Sequence, residues 1–358
     1  MVAPTLETAT PKGRKINKEM TKVAIVILNW NGEKLLPQFL PSVIAHSKVE
    51  GAELIVADNA SEDDSLAVMA RQFPEVRTIE LSKNYGFAEG YNQALKEVDA
   101  EYYLLLNSDV EVTKDWLKPL LATMESDKNI AACGPKILDY KRKTHFEYAG
   151  AAGGFIDQYG FPFCRGRIFS ELEEDKGQYD NERDVLWVSG CALMVRAENY
   201  WALDGLDRDF FAHMEEIDFC WRLNKRGFRV VNVPQSVVYH LGGASLNAAS
   251  PHKTYLNFRN SLLMIYKNTN DYALRKVLRR RRRLDAIASY KFLLGEGFKH
   301  YDAVNQAHID FQKMCPSFEQ KRQKNLENSN NEDAYVLQQS LVKAFYIHRK
   351  THFTDYAI

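Results

Sequence analysis

The chain has 358 residues, of which 45% are hydrophobic and 26% are charged, and its formal net charge is zero. This length accommodates about two average domains, or one large α/β domain with an appendage, and the composition is ordinary for a soluble globular protein with a core. The zero net charge excludes a global attraction to nucleic acid or anionic lipid. The five cysteines are widely spaced without a C-x-x-C pair, which argues against disulfide frameworks and structural zinc sites.

The N-terminal segment is polar and lacks the apolar centre of a signal peptide. We expect residues 1–21 to form a flexible leader before the fold begins. No apolar run approaches the roughly 18–20 residues that are needed to span a bilayer. These features predict a cytoplasmic protein.

Short apolar runs alternate with helical stretches in the first third of the chain. Strands are predicted over residues 22–28, 52–57, 76–81 and 102–106, and helices over 33–46, 63–72 and 87–98. Strands that alternate with helices and are apolar on both faces indicate a parallel sheet that is covered on both sides.

Small polar residues follow each of these predicted strands. They are Asn29 to Gly32, Asp58 to Ser61, Ser82 to Gly86 and Asn107 to Asp109. One such group would be explained by a turn, because Asn, Ser and Asp side chains bond to nearby backbone. Ligands of parallel α/β sheets bind outside the carboxyl ends of the strands, so four polar groups at one edge predict a cleft for a polar ligand.

The rest of the chain is less regular. The predicted elements are an exposed acidic loop from Glu171 to Asp184, a buried strand over 187–195, a helix that ends at Gly227, a strand over 230–233, an apolar run over 237–243, and an Arg-rich helical tail beyond about Ser261.

Two stretches could together hold a metal. The carboxylate of Asp109, two residues after Asn107, suits Mg²⁺ or Mn²⁺ on a diphosphate, since these ions prefer oxygen ligands and take few from protein when phosphates supply others. Taken alone, this stretch is better explained by a turn. His240 precedes Gly242 and Gly243; a single histidine is more often structural, but with a distant aspartate it forms a plausible metal pair.

The acidic residues Glu215, Glu216 and Asp218 allow two explanations. Acids in a first helical turn favour the helix dipole, and Asp218 can pair with Arg222 four residues later. Alternatively, two carboxylates in a cleft provide a general base, because one neighbour raises the pKa of the other. The residues alone leave both explanations open.

Seven stretches, taken together, resemble the successive motifs of glycosyltransferase family 2. They are VAIVILNWNG (23–32), VADNASEDDS (56–65), LSKNYGFAEGYNQAL (81–95), LLLNSDVEV (104–112), WVSGCALMVR (187–196), FFAHMEEIDFCWRLNKRGFRV (210–230) and VYHLGGAS (238–245). Seven linked motifs in order make chance a poor explanation. The branch that they resemble most is the rhamnosyltransferase-like group of bacterial polysaccharide assembly.

The resemblance implies a GT-A fold, the α/β fold of nucleotide-diphospho-sugar transferases, with a mainly parallel central sheet and here a C-terminal helical extension. On that pattern residues 22–265 form the catalytic domain, in which 22–112 bind the nucleotide sugar and 113–265 the acceptor, and residues 266–358 form the helical region. A sugar would move with inversion from a UDP- or dTDP-sugar, with a mild preference for dTDP-rhamnose, to a hydroxyl of a glycan or lipid-linked acceptor.

The resemblance also implies roles for individual residues. Glu216 would deprotonate the acceptor, with Glu215 and Asp218 beside it, and Asp109 and His240 would bind a divalent cation, Mn²⁺ or Mg²⁺. The nucleotide sugar would contact Leu28, Asn29, Asn31, Asp58, Asn84, Gly86, Asn107 and Ser108, with Asp58 accepting a hydrogen bond from a pyrimidine base. The acceptor would contact Trp187, Ser189 and Gly190.

Two positions depart from the family pattern. The base is commonly Asp after an acidic neighbour, whereas this chain has Glu215 and Glu216, and the choice between them stays open. The first Asp of the D-x-D motif is replaced by Asn107, so Asp109 alone contributes charge to the metal.

The sequence argues against two other functions. The first is a catalytically inactive sugar-nucleotide-binding or scaffolding protein, against which the intact acids, Asp109 and His240 argue. The second is a nucleotidyltransferase, which would carry a Gly-rich loop with Arg and Lys after the first strand. This chain has Asn-Trp-Asn-Gly at that position, which argues against it.

The tail carries Arg275, Lys276 and the run Arg279 to Arg283. A solvated helix face would explain them, and nucleic acid is disfavoured because no recognised nucleic-acid-binding fold accompanies them. Basic residues beside Leu284, Ile287, Leu293 and Leu294 also suit an anionic membrane surface. We favour peripheral contact with the cytoplasmic membrane through residues 275–298.

Overall fold

The computed structural model describes residues 21–242, 250–330 and 334–358. The predicted leader, apart from Thr21, and Gly243 lie outside the described residues. The described strands are β1 (Thr21–Asn29), β2 (Ala52–Asp58), β3 (Arg77–Glu80), β4 (Ala100–Asn107), β5 (Val110–Val112), β6 (Ile130–Asp139), β7 (Gly154–Asp157), β8 (Pro162–Cys164), β9 (Arg167–Ile168), β10 (Glu171–Leu172), β11 (Arg183–Asp184), β12 (Ala192–Arg196), β13 (Arg229–His240) and β14 (Val336–Leu337).

Helices separate the strands in the first half of the chain and dominate its end. The described α-helices are α1 (Leu35–His46), α2 (Ser65–Gln72), α3 (Gly86–Leu95), α4 (Leu117–Ser126), α5 (Ala197–Ala202), α6 (Glu215–Lys225), α7 (Pro251–Asn268), α8 (Asp271–Gly295), α9 (Phe298–Glu327) and α10 (Leu341–Tyr346). Short 3₁₀ helices lie at Arg208–Phe210 and Phe353–Asp355.

The central sheet has the strand order β11-β13-β6-β12-β4-β1-β2-β3, with β5 paired to β13. Strands β4, β1, β2 and β3 are parallel, and β13 is parallel to β6. Ala24 and Val26 belong to one buried cluster, whereas Ile25 and Ile27 belong to another. Successive side chains of a strand point to opposite faces, so both faces of β1 are covered, as its continuous apolar run predicted.

The register of the parallel strands brings the predicted polar groups to one edge of the sheet. Asn29 at the end of β1 lies opposite Asp58 of β2, and Leu28 lies opposite Asn107 of β4. Strand β12 then runs antiparallel to β4. The edge at which β1, β2 and β4 end is therefore the place where the loops of the candidate site converge.

Strand β13 differs from the prediction because it joins the strand over 230–233 and the apolar run after it. An irregularity lies between Val233 and Val237, at Pro234, which has no amide hydrogen to donate to a neighbouring strand. The end of β13 pairs with β5, with His240 opposite Val110. This pairing places His240 beside Asp109, although 130 residues separate them in sequence.

The predicted buried strand over 187–195 is shorter in the structure, since β12 begins at Ala192. Residues before it follow the smaller sheet instead: Trp187 O accepts a hydrogen bond from Gly154 N (2.8 Å), where β7 begins. This sheet has the order β10-β9-β8-β7-β14. Through the bond between Gly154 and Trp187, it lies beside the segment that leads into β12 of the central sheet.

The segment from Glu171 to Asp184 is not the plain exposed loop that its charge predicted. It contains β10 and β11, and its Asp175 carboxylate lies 2.8 Å from the Nζ of the buried Lys136. Asp180 pairs with the same ammonium group. A buried ammonium group is stable only when it is paired, so these acids neutralise a core lysine.

Buried ion pairs tie the C-terminal helices to the rest of the fold. Lys267 Nζ, at the end of α7, lies 2.7 Å from Asp218 Oδ2 and 2.6 Å from Asp207 Oδ2. Asn268 Nδ2 donates to Asp218 Oδ1 (2.8 Å), and Asn268 Oδ1 accepts from Asn325 Nδ2 of α9 (3.1 Å). The predicted domain boundary at residues 265/266 falls inside α7, and the division into domains stays a prediction.

Replacing Lys267 with methionine is expected to lower the free energy of unfolding by about 3 kcal/mol, because removing one partner leaves buried carboxylates with less compensation. Arg222 and Lys321 still pair with Asp218 and Asp207. The expected loss of stability is therefore near the lower end of the range for breaking a buried ion pair. Urea denaturation measures it.

Lys324→Met is the matched control for this prediction. Lys324 pairs with Asp204 on the surface, with the two side chains 52% and 75% exposed, so its loss is expected to cost less than about 1 kcal/mol. Equal losses of stability in the two variants would show that the buried network does not anchor α7.

Candidate active site

Asp58 joins the loops after β1 and β2. Its Oδ1 accepts hydrogen bonds from Asn29 Nδ2 (2.9 Å) and Ser61 Oγ (2.6 Å), and its Oδ2 accepts from Ser61 N (2.9 Å). Asp58 and Asn29 are buried. The structure therefore shows Asp58 as the organiser of these loops, and its contact with a pyrimidine base stays a prediction.

Asn31 lies on the exposed side of this cluster. Its backbone adopts a left-handed conformation (φ 54°), its N donates to Ser61 Oγ (2.9 Å), and its Oδ1 accepts from Glu62 N (2.8 Å). Gly32 allows the chain to pass Asn29, because a Cβ there would lie 2.0 Å from Asn29 Oδ1. Leu28 is half-buried and contacts α3, where a Cβ at Gly90 would lie 2.8 Å from Leu28 Cδ2.

Asn59 connects the loops after β2 and β3, a role that the sequence did not reveal. Its Nδ2 donates to Asn84 Oδ1 (3.1 Å) and Gly86 O (3.0 Å), and its Oδ1 accepts from Tyr85 N (2.9 Å). Asn84 is exposed, and Gly86 is buried with φ 76°. The predicted nucleotide residues thus come from three linked loops.

Asp109 and His240 meet at the end of β4. His240 Nε2 lies 3.2 Å from Asp109 Oδ1 and 3.4 Å from Asn107 Nδ2. Asp109 and His240 are both buried. Ser108, which lies between Asn107 and Asp109 in sequence, is half-buried. The structure therefore brings the predicted metal pair together, and Asn107 points at the imidazole rather than away from it.

Glu147 lies on the other side of the His240 ring and was missed by the sequence analysis. Its Oε1 is 3.4 Å from His240 Nδ1, and its Oε2 accepts a hydrogen bond from Ala149 N (2.5 Å). A carboxylate at one ring nitrogen fixes the orientation of the imidazole and leaves the other nitrogen for a metal. No short motif around Glu147 indicates this role. The fold brings the residue to His240 only through the course of β6 and the chain that follows it.

The electrostatics of this pair follow from burial and proximity. Burial would raise the pKa of Asp109, but the hydrogen bond and charge of His240 hold it below its ordinary value. Burial would lower the pKa of His240, but Cys191, Asp109 and Glu147 raise it well above its ordinary value. Asp109 and His240 therefore each favour the charged form of the other.

The loop before α6 has an unusual backbone. Phe211, His213 and Met214 all have positive φ angles (66°, 71° and 72°), a conformation that costs non-glycine residues about 1–3 kcal/mol each. Asn260 of α7 compensates by donating from Nδ2 to the carbonyl oxygens of Phe210, Ala212 and His213 at 2.8–2.9 Å. Such maintained strain is typical of functional loops, and here it sets the start of the acidic helix.

Glu215 and Glu216 occupy the first turn of α6, and each has an Oε2 atom that is buried without a hydrogen-bond partner in the described part of the chain. Burial raises the pKa of Glu215 well above its ordinary value, helped by the charges of Glu216 and Asp218; burial also raises the pKa of Glu216. Glu215 is 4% exposed, whereas Glu216 keeps a partly exposed surface. Of the two, Glu216 is the one that a substrate can reach.

Asp218 has a structural environment. It is fully buried, Arg222 Nε donates to its Oδ2 (2.8 Å), and Lys267 and Asn268 occupy the remaining positions around the carboxylate. Of the two explanations that the sequence allowed, the ion pair with Arg222 is therefore the one that holds for Asp218. Asp218 anchors α6 to α7 and has no free oxygen for substrate.

Two of the three predicted acceptor residues, Trp187 and Ser189, are buried. Trp187 is 2% exposed, and its indole Nε1 donates to Phe155 O (3.1 Å), so the prediction that it contacts acceptor is corrected: it packs in the core against Gly154. Ser189 is also buried and accepts from Cys191 N through its Oγ (3.2 Å). Gly190 does reach the site, since a Cβ there would lie 3.4 Å from the Cβ of Glu216.

Contacts in the backbone connect the separate clusters. Cys191 O accepts from Asn107 N (2.9 Å), so the segment 189–191 contacts the end of β4 on one side and Glu216 on the other. Phe211 O accepts from Phe87 N (2.8 Å), and a Cβ at Gly86 would lie 2.5 Å from the ring of Phe211. These contacts therefore join the predicted nucleotide loops, the end of β4 and the loop before α6.

This arrangement agrees with the sequence profile of glycosyl transferase family 2, which matches residues 24–189. Residues 24–189 form a glycosyl transferase family 2 domain. The matched segment contains the nucleotide loops and Asp109, and Glu216 and His240 follow it in sequence.

Curated relatives support a rhamnosyltransferase-like branch of family 2 that acts in polysaccharide or glycan biosynthesis. The chain is 24% identical to rhamnosyltransferase WbbL of Escherichia coli (strain K12), over 75% of this chain and 98% of that protein. It is 25% identical to the N-acetylglucosaminyl-diphospho-decaprenol L-rhamnosyltransferase of Mycobacterium tuberculosis, over 60% and 75%. It is also 27% identical to the O-antigen biosynthesis protein RfbC of Myxococcus xanthus, but over 65% of this chain it spans only 18% of that protein.

Solved structures show that the chain has the GT-A fold. GalNAc-T7 with UDP, GalNAc and Mn²⁺ superposes with a TM-score of 0.56 at 17% identity, over 72% of this chain and 49% of that one. The mannosyltransferase PcManGT of Pyrobaculum calidifontis, in complex with GDP-Man and Mn²⁺, gives 0.51 at 12% identity, over 86% and 85%. These comparisons confirm the predicted fold class, with its mostly parallel sheet and C-terminal helices.

The residues at the end of β4 are of a kind that could hold a divalent cation. Within the described residues no group of three His, Cys, Asp or Glu side chains forms a complete cage. Instead, one carboxylate and one imidazole converge at 3.2 Å. Mg²⁺ and Mn²⁺ on a nucleotide take most ligands from phosphate and water, so a protein pair of this kind is sufficient.

Proposed function

We propose that this protein is an inverting, metal-dependent glycosyltransferase that moves a sugar from a UDP- or dTDP-sugar to a hydroxyl of a glycan or lipid-linked acceptor in cell-surface polysaccharide synthesis. The observation that carries the proposal is the position of Glu216. Glu216 keeps a partly exposed surface, and its Cβ and Cγ pack against Gly190, one residue from Cys191, which bonds to the Asn107 backbone beside Asp109 and His240. A base and a leaving-group site thus face one cleft.

Asp109 and His240 would hold the cation, and Glu147 would fix the imidazole. A bound cation would stabilise the negative charge that develops on the departing nucleotide diphosphate. Asn107 contributes an amide beside His240 rather than a second charge. The loops around Asn31 and Asn84 would position the nucleotide.

Glu216 would act on the acceptor. Its burial raises the pKa of the carboxyl, so the carboxylate is a stronger base than an exposed glutamate. It removes the proton of the acceptor hydroxyl as that oxygen attacks the anomeric carbon. The new glycosidic bond forms as the bond from that carbon to the diphosphate oxygen breaks on the opposite face, which inverts the configuration.

A thermal-shift screen of nucleotide sugars with Mn²⁺ or Mg²⁺ tests the donor class. We expect UDP- or dTDP-sugars, dTDP-rhamnose among them, to raise the melting temperature only when a divalent cation is present, because ligand binding to the folded state stabilises it by mass action. A subsequent hydrolysis assay on the stabilising donors distinguishes an enzyme from an inactive sugar-nucleotide-binding protein. Purine nucleotide sugars alone producing the shift would contradict the donor assignment.

We further propose that α8 contacts an anionic membrane from the cytoplasmic side. Arg279, Arg280, Arg282 and Arg283 are exposed, and Ile287 and Leu294 expose 68% and 89% of their surface. Basic residues beside exposed apolar ones are typical of interfacial helices. Among the described residues, no helix is both long enough and apolar enough to cross a bilayer.

The arginine run is not entirely available for lipid, which corrects the sequence analysis. Arg281 is buried: its Nε lies 3.3 Å from Asp285 Oδ1, and its Nη1 donates to Ser261 Oγ (2.9 Å) and Tyr159 O (3.1 Å). Its guanidinium also covers the ring of Phe161 at 4.1 Å. Arg281 attaches α8 to α7 and the smaller sheet, and its neighbours face outward.

The variant Leu294→Glu is expected to weaken co-sedimentation with anionic liposomes at moderate salt, because it replaces an exposed apolar contact with a charge that the lipid repels. Wild-type protein should bind anionic vesicles and not zwitterionic ones, and higher salt should weaken the binding. Lys324→Met, on another helix, is the control. Absence of anionic-lipid-dependent sedimentation would refute the membrane contact.

A further inference from the structure

We propose that Arg259 and Asn260 of α7 are positioning residues for the transfer step. They hold the loop over residues 209–213 in the one arrangement that places Glu216 for proton abstraction. This inference rests on the proposed function, because it concerns the same base. The pair does more than relieve backbone strain: its loss is expected to slow the chemical step while donor binding is retained.

Asn260 is fully buried, and its amide faces acceptors on one side and donors on the other. Nδ2 donates to the carbonyl oxygens of Phe210 (2.9 Å), Ala212 (2.8 Å) and His213 (2.8 Å). Oδ1 accepts from Arg259 Nε (2.9 Å) and Nη2 (2.7 Å). Aspartate has no hydrogen to donate to these carbonyls when ionised, so the position requires an amide.

Arg259 binds the start of the same loop. Its Nη2 donates to Asp209 O (3.2 Å) and Phe210 O (3.1 Å) as well as to Asn260 Oδ1. Its Nη1 lies 3.4 Å from the hydroxyl of Tyr255, one turn earlier in α7. A guanidinium presents its donors in a rigid planar fork, and here that fork is directed at main-chain oxygens. The two side chains therefore act as one unit that fixes four consecutive residues of the loop at three of their carbonyls and at Asp209.

The remaining carbonyl of the loop, that of Phe211, is bound from the side of the predicted nucleotide loops. It accepts from Phe87 N (2.8 Å) and Ala88 N (3.2 Å) in the first turn of α3. The same helix approaches the base, since a Cβ at Gly190 would lie 3.6 Å from Phe87 Cε1 and 3.4 Å from Glu216 Cβ. The loop is thus fixed between α7 and α3 immediately before α6 begins.

The position of Glu216 depends on this loop through the backbone. His213 and Met214 have φ angles of 71° and 72°, and α6 follows directly, with Asp218 N bonded to Met214 O (2.9 Å). Left-handed conformations cost about 1–3 kcal/mol each, so without Asn260 this segment is expected to relax and to turn the first residues of α6. Glu216 is the second residue of that helix, and a misplacement of about 1 Å costs roughly 10²-fold in rate.

The variant Asn260→Ala tests the proposal through the hydrolysis of the nucleotide sugar that gives the largest thermal shift, with water in place of the acceptor. We expect kcat to fall by roughly 10²-fold, while the KM for the donor stays close to that of the wild type, because the nucleotide and metal residues are unchanged. In the Glu216→Gln background the same change should lower kcat no further, because the base that it positions is already absent.

Asn325→Ala is the matched control. Asn325 is a buried asparagine of α9 that also bonds to α7, with its Nδ2 donating to Asn268 Oδ1 (3.1 Å), but its recorded bond is to Asn268 and not to the loop. Its replacement should lower the melting temperature and leave kcat unchanged. Arg259→Lys keeps the charge but loses the fork, so it should lower kcat less than Asn260→Ala does.

Three results would overturn the positioning role: wild-type kcat in folded Asn260→Ala, an equal loss of kcat in Asn325→Ala, or a further loss when Asn260→Ala is added to Glu216→Gln. A higher KM with unchanged kcat would overturn it as well, since the loop would then serve donor binding. If circular dichroism shows Asn260→Ala unfolded, Arg259→Lys decides, and unchanged kcat refutes the proposal.

Failure of the proposed function gives a different result. Full activity in Glu216→Gln would refute the base itself, and the positioning of that base with it. A slow Glu216→Gln beside a wild-type rate in Asn260→Ala would refute the positioning role alone and leave the base standing.

Discussion

Glu216→Gln is expected to lower the rate of sugar transfer by about 10²–10⁴-fold, the usual contribution of a general base. Glutamine keeps the volume of the side chain but cannot accept the acceptor proton. The variant should remain folded, because Glu216 forms no ion pair among the described residues and one of its oxygens already lacks a partner. Removing a buried carboxylate with a raised pKa should, if anything, stabilise the fold.

The measurement is the initial rate of transfer with the donor from the thermal-shift screen, alongside the affinity for that donor. Donor affinity should be unchanged, since the carboxylate acts on the acceptor. Full activity in purified, folded Glu216→Gln would remove the assignment of Glu216 as the base.

Glu215→Gln is the matched control for this prediction. It changes the neighbouring carboxylate of a residue that is only 4% exposed, so the variant should keep most of its activity. Because a base works only when ionised and burial raises the pKa of Glu216, activity should rise with pH through that raised value. Removing the adjacent carboxylate should move this acidic limb to lower pH, since coupled acids raise each other's pKa. A larger loss of activity in Glu215→Gln than in Glu216→Gln would reverse the two roles.

The site residues that sequence reasoning identified are those in continuous strand-and-loop patterns. Asn29, Asp58 and Asn107 each follow an apolar run, and the ends of parallel strands must meet at one edge. Their convergence in the register of β1, β2 and β4 could therefore be predicted from the sequence. The same argument does not predict the direction of each side chain. Asp58, for example, is buried and accepts hydrogen bonds from Asn29 and Ser61.

Other residues could not be predicted because their roles depend on long-range packing. Glu147 touches His240 across 93 residues, and Asn260 holds carbonyl oxygens about 50 residues before it. Neither lies in a periodic pattern or beside a motif residue. Trp187 shows the opposite error: it lies within a family motif, but its large apolar ring is buried more favourably in the core.

Asp109→Asn is expected to abolish detectable transfer and to weaken Mn²⁺ binding in the presence of nucleotide by more than tenfold. The change keeps the shape of the side chain but removes the one carboxylate that the 107–109 stretch offers to a cation. It also removes the charge that His240 faces at 3.2 Å. The loss of Mn²⁺ affinity, measured by the free Mn²⁺ signal in electron paramagnetic resonance, reports on the site independently of activity.

Glu147→Gln provides the graded comparison for Asp109→Asn. Glu147 contacts His240 and would not touch the cation, so its replacement should weaken Mn²⁺ binding by about 10–100-fold, as is typical for residues that orient a metal ligand. Activity lost this way should recover as Mn²⁺ is raised, because the ligands themselves remain. Asp109→Asn should not recover, since a missing ligand cannot be supplied by concentration within the soluble range. If Mn²⁺ affinity were unchanged in both variants, the cation would have to bind elsewhere, and the end of β4 would be a structural turn after all.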